Sequence, residues 1–258
     1  GRAVVVGPAR RSMTRKYIEA GDVDREIARF EAALTRARAE LSDVSGRAER
    51  ALGTDLEAAR RHGRALQISA SLLEAYAAMI ADPMLAEAVV DEIRDELRCA
   101  EWAVGAAIEE LAGRLAAAKD PYLRERSHDV ELVGDRILRA FAASATSPGF
   151  VGLAGPTVLI AHDLSPADTA AMFHEPIVGF ATEIGTRTSH TAIMARALKR
   201  PAVLGVSDLL KHVSSGDLVI VDGLRGEIIV RPFFAVVEAA ERRSARHVAL
   251  RIELRGVP

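Results

Sequence analysis

The sequence predicts an α/β fold carrying an inserted antiparallel helical bundle and closed by a further helix. Three observations predict it. A short β-branched run, Ala3 to Val6, stands near the start; an almost unbroken helical pattern follows from about residue 22 to 143; then, past a stretch rich in glycine and proline, apolar runs alternate with short helical segments.

The elements follow in order. Ala3 to Val6, ended by Gly7-Pro8, reads as a strand, and the basic connection containing Arg10, Arg11, Arg15 and Lys16 has room for another short one. From Asp24 the period changes: Ile27, Phe30, Leu34, Ala37, Leu41 and Val44 fall three and four apart, the seam of an amphipathic helix. Gly53 is expected to interrupt it. A second helical pattern runs through Leu56, Leu66, Leu72, Leu73, Tyr76, Met79 and Ile80 to Asp82-Pro83, where proline suits the first turn of a third helix, Met84 to Leu97. A fourth, Trp102 to Leu115, follows either separately or as the continuation of a bent third. Lys119-Asp120-Pro121 breaks the pattern before a fifth, Tyr122 to Phe141, with Leu123, Val130, Val133, Ile137 and Leu138 as its apolar stripe. Helices rich in alanine, glutamate and arginine in this arrangement make a bundle.

Ser144 to Pro156 marks the boundary. Beyond it Thr157 to Ala161, Ile177 to Ala181, Ala202 to Leu204, Leu218 to Val221 and Glu227 to Val230 read as strands. Asp163 to Thr169 is a turn into a helix with proline early, and Asp222 to Gly226 is a hairpin connection with two glycines for positive φ. The predicted division is residues 1–21 and 144–231 as a discontinuous α/β domain, 22–143 as the bundle and 232–258 as a closing helix with alternating Glu and Arg.

Composition narrows the function classes. Thirty-four basic and 36 acidic residues leave a formal net charge of -2, which implies no attraction to nucleic acid or an anionic membrane. No apolar run approaches a membrane span, and no signal peptide opens the chain. One cysteine, Cys99, excludes an intrachain disulfide and fits a reducing, cytoplasmic compartment. The opening Gly1-Arg2 predicts a native start further upstream. The histidines His62, His128, His162, His174, His212 and His247 lack mutual metal-ligand spacing, so no metal site is predicted.

The chemistry concentrates at Gly185 to Leu198, where a glycine-started turn becomes a helix. Ile193, Met194, Ala197 and Leu198 are spaced to cover one helix face, Pro201 stops the run, and Thr188 or Ser189 can cap it. His190 therefore falls at a helix N-terminus, where unpaired N–H groups and the dipole favour an anion. A neutral imidazole is a nucleophile toward phosphorus, and Arg187 is near enough to hold phosphoryl oxygens.

The run GTRTSHTAIMARALKRPAVLG resembles the phosphohistidine signature of Enzyme I of the bacterial phosphoenolpyruvate-dependent sugar phosphotransferase system. Its core is shared with pyruvate phosphate dikinase and phosphoenolpyruvate synthase. Pro121 to Arg139, including PYLRER, and Leu73-Glu74-Ala75-Tyr76 with Asp82-Pro83-Met84-Leu85 are similar to the helical subdomain of Enzyme I and not to the dikinases. The resemblance extends over nearly the whole chain.

It implies a swivelling phosphohistidine domain whose histidine, matched by His190, takes a phosphoryl group on Nε2. The donor is phosphoenolpyruvate, bound with Mg²⁺ on a C-terminal barrel that this chain lacks, and residues 232–258 would lead to that barrel. The group then passes to the small carrier protein HPr, docked on the helical subdomain. Thr169 matches the family threonine that hydrogen-bonds the imidazole, and Arg187 and Ser189 contact the phosphoryl group or the ring. For docking the resemblance implies Met79, Leu85 and Leu115 as apolar contacts and Glu74, Tyr76 and Arg126 as polar ones. No cofactor is implied for the fragment itself, with Mg²⁺ confined to the full-length enzyme. The fragment is expected to be a monomer and the full-length enzyme a homodimer through the barrel.

Three departures bear on the carrier rather than on the chemistry. Thr186 stands where the family has a second glycine, and a β-branched residue there disfavours positive φ. Tyr76 replaces a common histidine, and Gln67-Ile68 replaces acidic residues that would face a basic carrier rim. A nitrogen-regulatory paralogue of Enzyme I, and a non-catalytic helical adaptor with an unused histidine domain, remain alternatives.

Overall fold

A computed structural model describes residues 1–7, 13–54, 67, 70–141, 153, 155–172, 176–186 and 189–253. The boundary stretch from Ser144 lies mostly outside them, as do Arg187, Thr188, Leu56, Leu66, His62 and His174.

Four parallel strands form the sheet, in the order β1 (Arg2–Val6), β2 (Thr157–Ala161), β3 (Ile177–Thr182), β4 (Ala202–Leu204). β1 pairs with β2 from Arg2–Thr157 to Val6–Ala161, although all the bundle helices lie between them in the chain. Every residue of β2 is buried, as an apolar strand covered on both faces requires. Its alternation sorts the core: Val158 and Ile160 face one cluster with Ala181, Val203 and Leu209, while Leu159 and Ala161 face another with Phe180, Met172 and Ala195. An antiparallel hairpin, β5 (Val219–Asp222) and β6 (Glu227–Val230), completes the α/β part.

The helical part holds α1 (Val23–Thr54), α2 (70–80), α3 (Pro83–Arg94), α4 (Ala100–Ala116) and α5 (Pro121–Arg139). Its core is the predicted seam, with Phe30, Leu34, Ala37 and Leu41 buried against Leu73, Tyr76, Ile80, Ile93, Ile108, Val133 and Ile137. Asp82 and Asp120 cap α3 and α5 by accepting from Met84 N and Tyr122 N, each at 2.9 Å, with Pro83 and Pro121 in the first turn. α4 and α5 pack so closely that a Cβ on Gly134 would stand 2.7 Å from the Ile108 side chain.

Several expectations are corrected. α1 runs through Gly53 to Thr54, because one glycine costs a long helix only about 1 kcal/mol. Of the two readings left open for α3 and α4, separate helices are the one observed: Leu97 takes φ 51°, and its carbonyl and the Cys99 N–H bond to Ile18 and Lys16, which draws the junction into strand-like pairing. In the hairpin only Gly226 has positive φ, 70°; Gly223 does not. Leu123 is exposed rather than part of the α5 stripe.

The remaining helices are α6 (Pro166–Ala171), α7 (His190–Leu198), α8 (Leu209–His212) and α9 (Phe234–Glu253). α6 belongs to both parts. Its Ala167 and Ala170 join the bundle core, while Leu164 just before it and Met172 just after it join the core under the sheet.

Candidate functional site

The loop after β3 places the signature histidine. Gly185 adopts φ 128°, a conformation that side chains rarely take, while Thr186 is not among the positive-φ residues, so a single glycine makes the turn. Ser189 is the N-cap of α7: its Oγ accepts from Ala192 N at 3.3 Å and donates to the Thr186 carbonyl at 2.9 Å. His190 is the first residue of the helix. On α7 Met194 is buried and Leu198 packs partly buried on the core, as predicted, and Thr191, Ala192 and Ala195 complete the buried face; Ile193 is exposed, which corrects that one position. Lys199, at φ 53°, ends the helix two residues before Pro201.

Facing α7 is the turn into α6. Ser165 and Asp168 form a reciprocal capping box: Asp168 N donates to Ser165 Oγ at 3.2 Å, and Ser165 N donates back to Asp168 Oδ2 at 3.0 Å. Thr169 is fully buried, and its hydroxyl donates to the carbonyls of Pro166 at 2.9 Å and Ser165 at 3.2 Å. With its proton held by its own helix, the Thr169 oxygen offers lone pairs, so it meets a neighbouring group as an acceptor. Thr191 Oγ1 donates to the Leu164 carbonyl at 3.4 Å and so docks the start of α7 beside this turn.

Sequence reasoning missed the charges that α5 brings to this place. Arg136, 5% exposed, reaches Asp168 at 3.4 Å and Glu40 of α1 at 3.1 Å; Arg139 approaches Asp168 at 4.0 Å and holds Asp135 at 2.7 Å. Burial alone would raise the Asp168 pKa, but Arg139 and Arg136, with the Ser165 hydrogen bonds, outweigh it and hold the carboxyl below its ordinary value. The S-x-x-D spacing of Ser165 and Asp168 is a local signal that could have found the capping box; its arginine partners, some thirty residues upstream, had no local signal.

A cavity of about 280 Å³ opens between α5 and the carboxyl ends of β1, β2 and β3. His128 reaches it from α5, bonded through Nε2 to Asp163 of the β2–α6 loop and lying 3.6 Å through Nδ1 from Glu131. The bond to Asp163 raises the His128 pKa above its ordinary value, against the opposing effect of burial. His162 lies opposite, its Nδ1 2.6 Å from Glu183, just ahead of the histidine loop. Among the described residues no three His, Cys, Asp or Glu side chains are grouped to hold a metal ion.

The expected docking residues separate into two groups. Glu74 is exposed, and Met79, Leu115 and Arg126 are half-buried on the bundle surface. Tyr76, 2% exposed, and Leu85, 6% exposed, are core residues and are corrected as contacts, because neither side chain faces outward. The Tyr76 hydroxyl instead donates to Asp129 Oδ1 at 3.1 Å, and Asp129 Oδ2 holds Arg126 at 3.1 Å. Arg126 also donates to the Tyr122 hydroxyl at 2.8 Å and stacks on its ring. Tyr76 thus orients a surface arginine from below.

Comparison with known proteins agrees with this geometry. Residues 1–126 match the model of the N-terminal domain of phosphoenolpyruvate-utilising enzymes, and residues 153–226 match that of their mobile domain. The chain is 34% identical over 233 residues to a phosphoenolpyruvate-protein phosphotransferase of Bacillus sp. (strain S), covering 90% of this chain and 38% of that protein. It is 35% identical to that of Geobacillus stearothermophilus, with the same coverage. The chain therefore spans 38% of the length of these relatives. Among solved structures, a solution structure of Enzyme I (nEIt) matches with TM-score 0.67 and 35% identity over 96% of this chain and 94% of that one. An N-terminal domain of Enzyme 1 - Nitrogen matches with TM-score 0.59 and 28% identity over 95% of this chain and 94% of that one. Helical bundle, capped histidine helix and these likenesses together place the chain in the Enzyme I family of phosphoenolpyruvate-protein phosphotransferases, in its N-terminal region.

Proposed function

We propose that this chain is the phosphoryl-relay part of an Enzyme I: His190 accepts a phosphoryl group that originates in phosphoenolpyruvate and passes it to the histidine of an HPr-type carrier. The observation that carries the reading is the position of His190, first residue of a capped helix at the carboxyl edge of a parallel sheet. Backbone N–H groups of the first turn stabilise phosphoryl oxygens there, and in-line transfer needs little beyond positioning and charge stabilisation. Thr169, whose hydroxyl proton is committed to the Pro166 carbonyl, would serve as the acceptor for the imidazole N–H, the role the family threonine has. Such a bond would hold Nδ1 as the protonated nitrogen and leave the Nε2 lone pair for attack.

In this reading phosphoenolpyruvate and Mg²⁺ belong to a separate barrel domain, and α9 leads toward it. The bundle surface with Glu74, Met79, Leu115 and Arg126 receives the carrier, and Arg187 assists at the phosphoryl group. The setting is cytoplasmic, in keeping with the free, buried Cys99 and with the absence, among the described residues, of a helix long and apolar enough to cross a membrane. Residues 1–258 by themselves are expected to ignore phosphoenolpyruvate. They should instead take the group backward from a phosphorylated carrier.

The test is incubation with radiolabelled phospho-HPr and measurement of acid-labile label, with His190→Ala as control. Label on the wild type and none on the variant supports the proposal; an unlabelled wild type, or an equally labelled variant, sinks it. A nitrogen-regulatory paralogue is a second reading, favoured by the likeness to the Enzyme 1 - Nitrogen domain. Running sugar-branch and nitrogen-branch carriers side by side decides between the two by the faster transfer.

A further inference from the structure

We infer that Asp168 is a positioning residue for the transfer, tying the helix that begins at His190 to the bundle through Arg136 and Arg139; this deepens the reading of His190 given above and rests on it.

A continuous line of buried polar contacts runs between the two parts. Glu40 of α1 accepts from Arg136 at 3.1 Å, and Arg136 of α5 donates to Asp168 Oδ1 at 3.4 Å. Asp168 Oδ2 accepts from Ser165 Oγ at 2.7 Å and from Ser165 N at 3.0 Å. The preceding carbonyl, Leu164, takes the Thr191 hydroxyl at 3.4 Å, and Thr191 follows His190 in the first turn of α7. Arg136, Asp168, Ser165 and Thr191 are exposed by only 5, 4, 5 and 1%.

One carboxylate therefore performs two tasks with its two oxygens. Oδ2 closes the α6 cap that presents Thr169, and Oδ1 anchors that cap to α5. In a water-poor interior, charged hydrogen bonds are strong when complete and costly when broken, so the cap follows the arginines. A shift of α5 against α6 moves Ser165 and Leu164, and with them Thr169 and the start of α7. The seating of the bundle is in this way registered at the histidine. Coupling through such a line is established only by perturbing one end and reading the other.

Asp168→Asn keeps the shape and one capping acceptor but removes the charge that the arginines hold. Arg139→Gln serves beside it as the milder change, since the Arg139 side chain is 21% exposed. Two readouts are taken on each: label transfer from phospho-HPr over a range of carrier concentrations, and titration of the His190 imidazole by NMR. The rate at saturating carrier should fall about tenfold in Asp168→Asn, the low end of what losing an orienting partner costs at histidine metal sites. The half-saturating carrier concentration should stay put and the imidazole titration should move, with Arg139→Gln shifting both readouts the same way by less. Asp168→Glu, which supplies the common capping-box residue, should recover most of the rate. Unchanged rates and titrations in folded variants overturn the inference, as does a rise in half-saturating concentration without a fall in rate. Failure of the wild type to take label would sink the proposed function. The imidazole titration would still decide the coupling, since movement in both variants supports it and none in either overturns it.

Discussion

The bundle and the α/β part are held together by different means. The bundle owes its cohesion to one large apolar cluster drawn from α1 to α5 and joined by Ala167 and Ala170 of α6, with Phe30, Tyr76, Ile93 and Ile137 almost fully buried. The α/β part is a backbone ladder with two smaller clusters on its faces. Where they meet, at α5 and α6, side chains are charged and a cavity remains. Apolar packing does not titrate, whereas ion pairs are directional and do. The contrast assigns durability to the bundle and responsiveness to the seam.

Two substitutions of similar cost separate these behaviours most sharply. Phe30→Ala should lose about 3–5 kcal/mol by opening a cavity in the bundle. Arg136→Met should lose about 3–5 kcal/mol by leaving Asp168 and Glu40 short of a cation. Their pH dependence should differ. Asp168 is held below its ordinary value of 3.8, so the stability its pairing adds is present above that value and is lost as pH falls through the depressed one. Denaturant titrations should therefore find the deficit of Arg136→Met shrinking below about pH 4, while that of Phe30→Ala persists. Equal behaviour of the two would erase the distinction.

Next in size is Gly134→Ala, in the α4–α5 contact. The added methyl meets Ile108 at 2.7 Å, so overpacking of about 1–3 kcal/mol should outweigh the gain in helix propensity. A rise in Tm would mean that α4 and α5 yield more readily than their packing implies. Ser165→Ala should cost about 1 kcal/mol as a lost cap. Its label transfer should fall further than that of a cap variant remote from the site, such as Asp120→Ala, and matching rates would detach α6 from the chemistry.

The smallest effect lies at His128. Its pKa is raised by the bond to Asp163, so its stabilisation is complete below the ordinary value of 6.5 and is lost as pH climbs through the raised one. Stability measured between about pH 6 and about pH 9 should decline in the wild type and lose that slope in Asp163→Asn. An NMR titration placing His128 at or below 6.5 would show that this contact does not clasp the seam.

Much of the fold was legible because it rests on short-range rules. The apolar spacing from Phe30 to Leu41 locates α1, Asp82-Pro83 and Asp120-Pro121 start α3 and α5, and β-branched runs locate the strands. Long-range contacts decided what such signals left open or misjudged: pairing of Ile18 with Leu97 settled that α3 and α4 are separate, and burial turned Tyr76 from a surface contact into a support for Arg126. In the candidate site, the Ser189 cap and the turn at Gly185 could be read in advance.

By itself, then, the amino-acid order determined which segments are helix or strand, where caps and turns fall, and that His190 opens a helix, because these depend on neighbours within a few residues. Only the tertiary structure decided that Arg136 and Arg139 close on Asp168, that His128 bonds to Asp163 beside a cavity, and that α6 belongs to two cores at once. Such pairings join residues far apart in the chain, and no periodicity or local spacing encodes them. They exist because folding brings α5 against the carboxyl edge of the sheet, where buried charges must find partners.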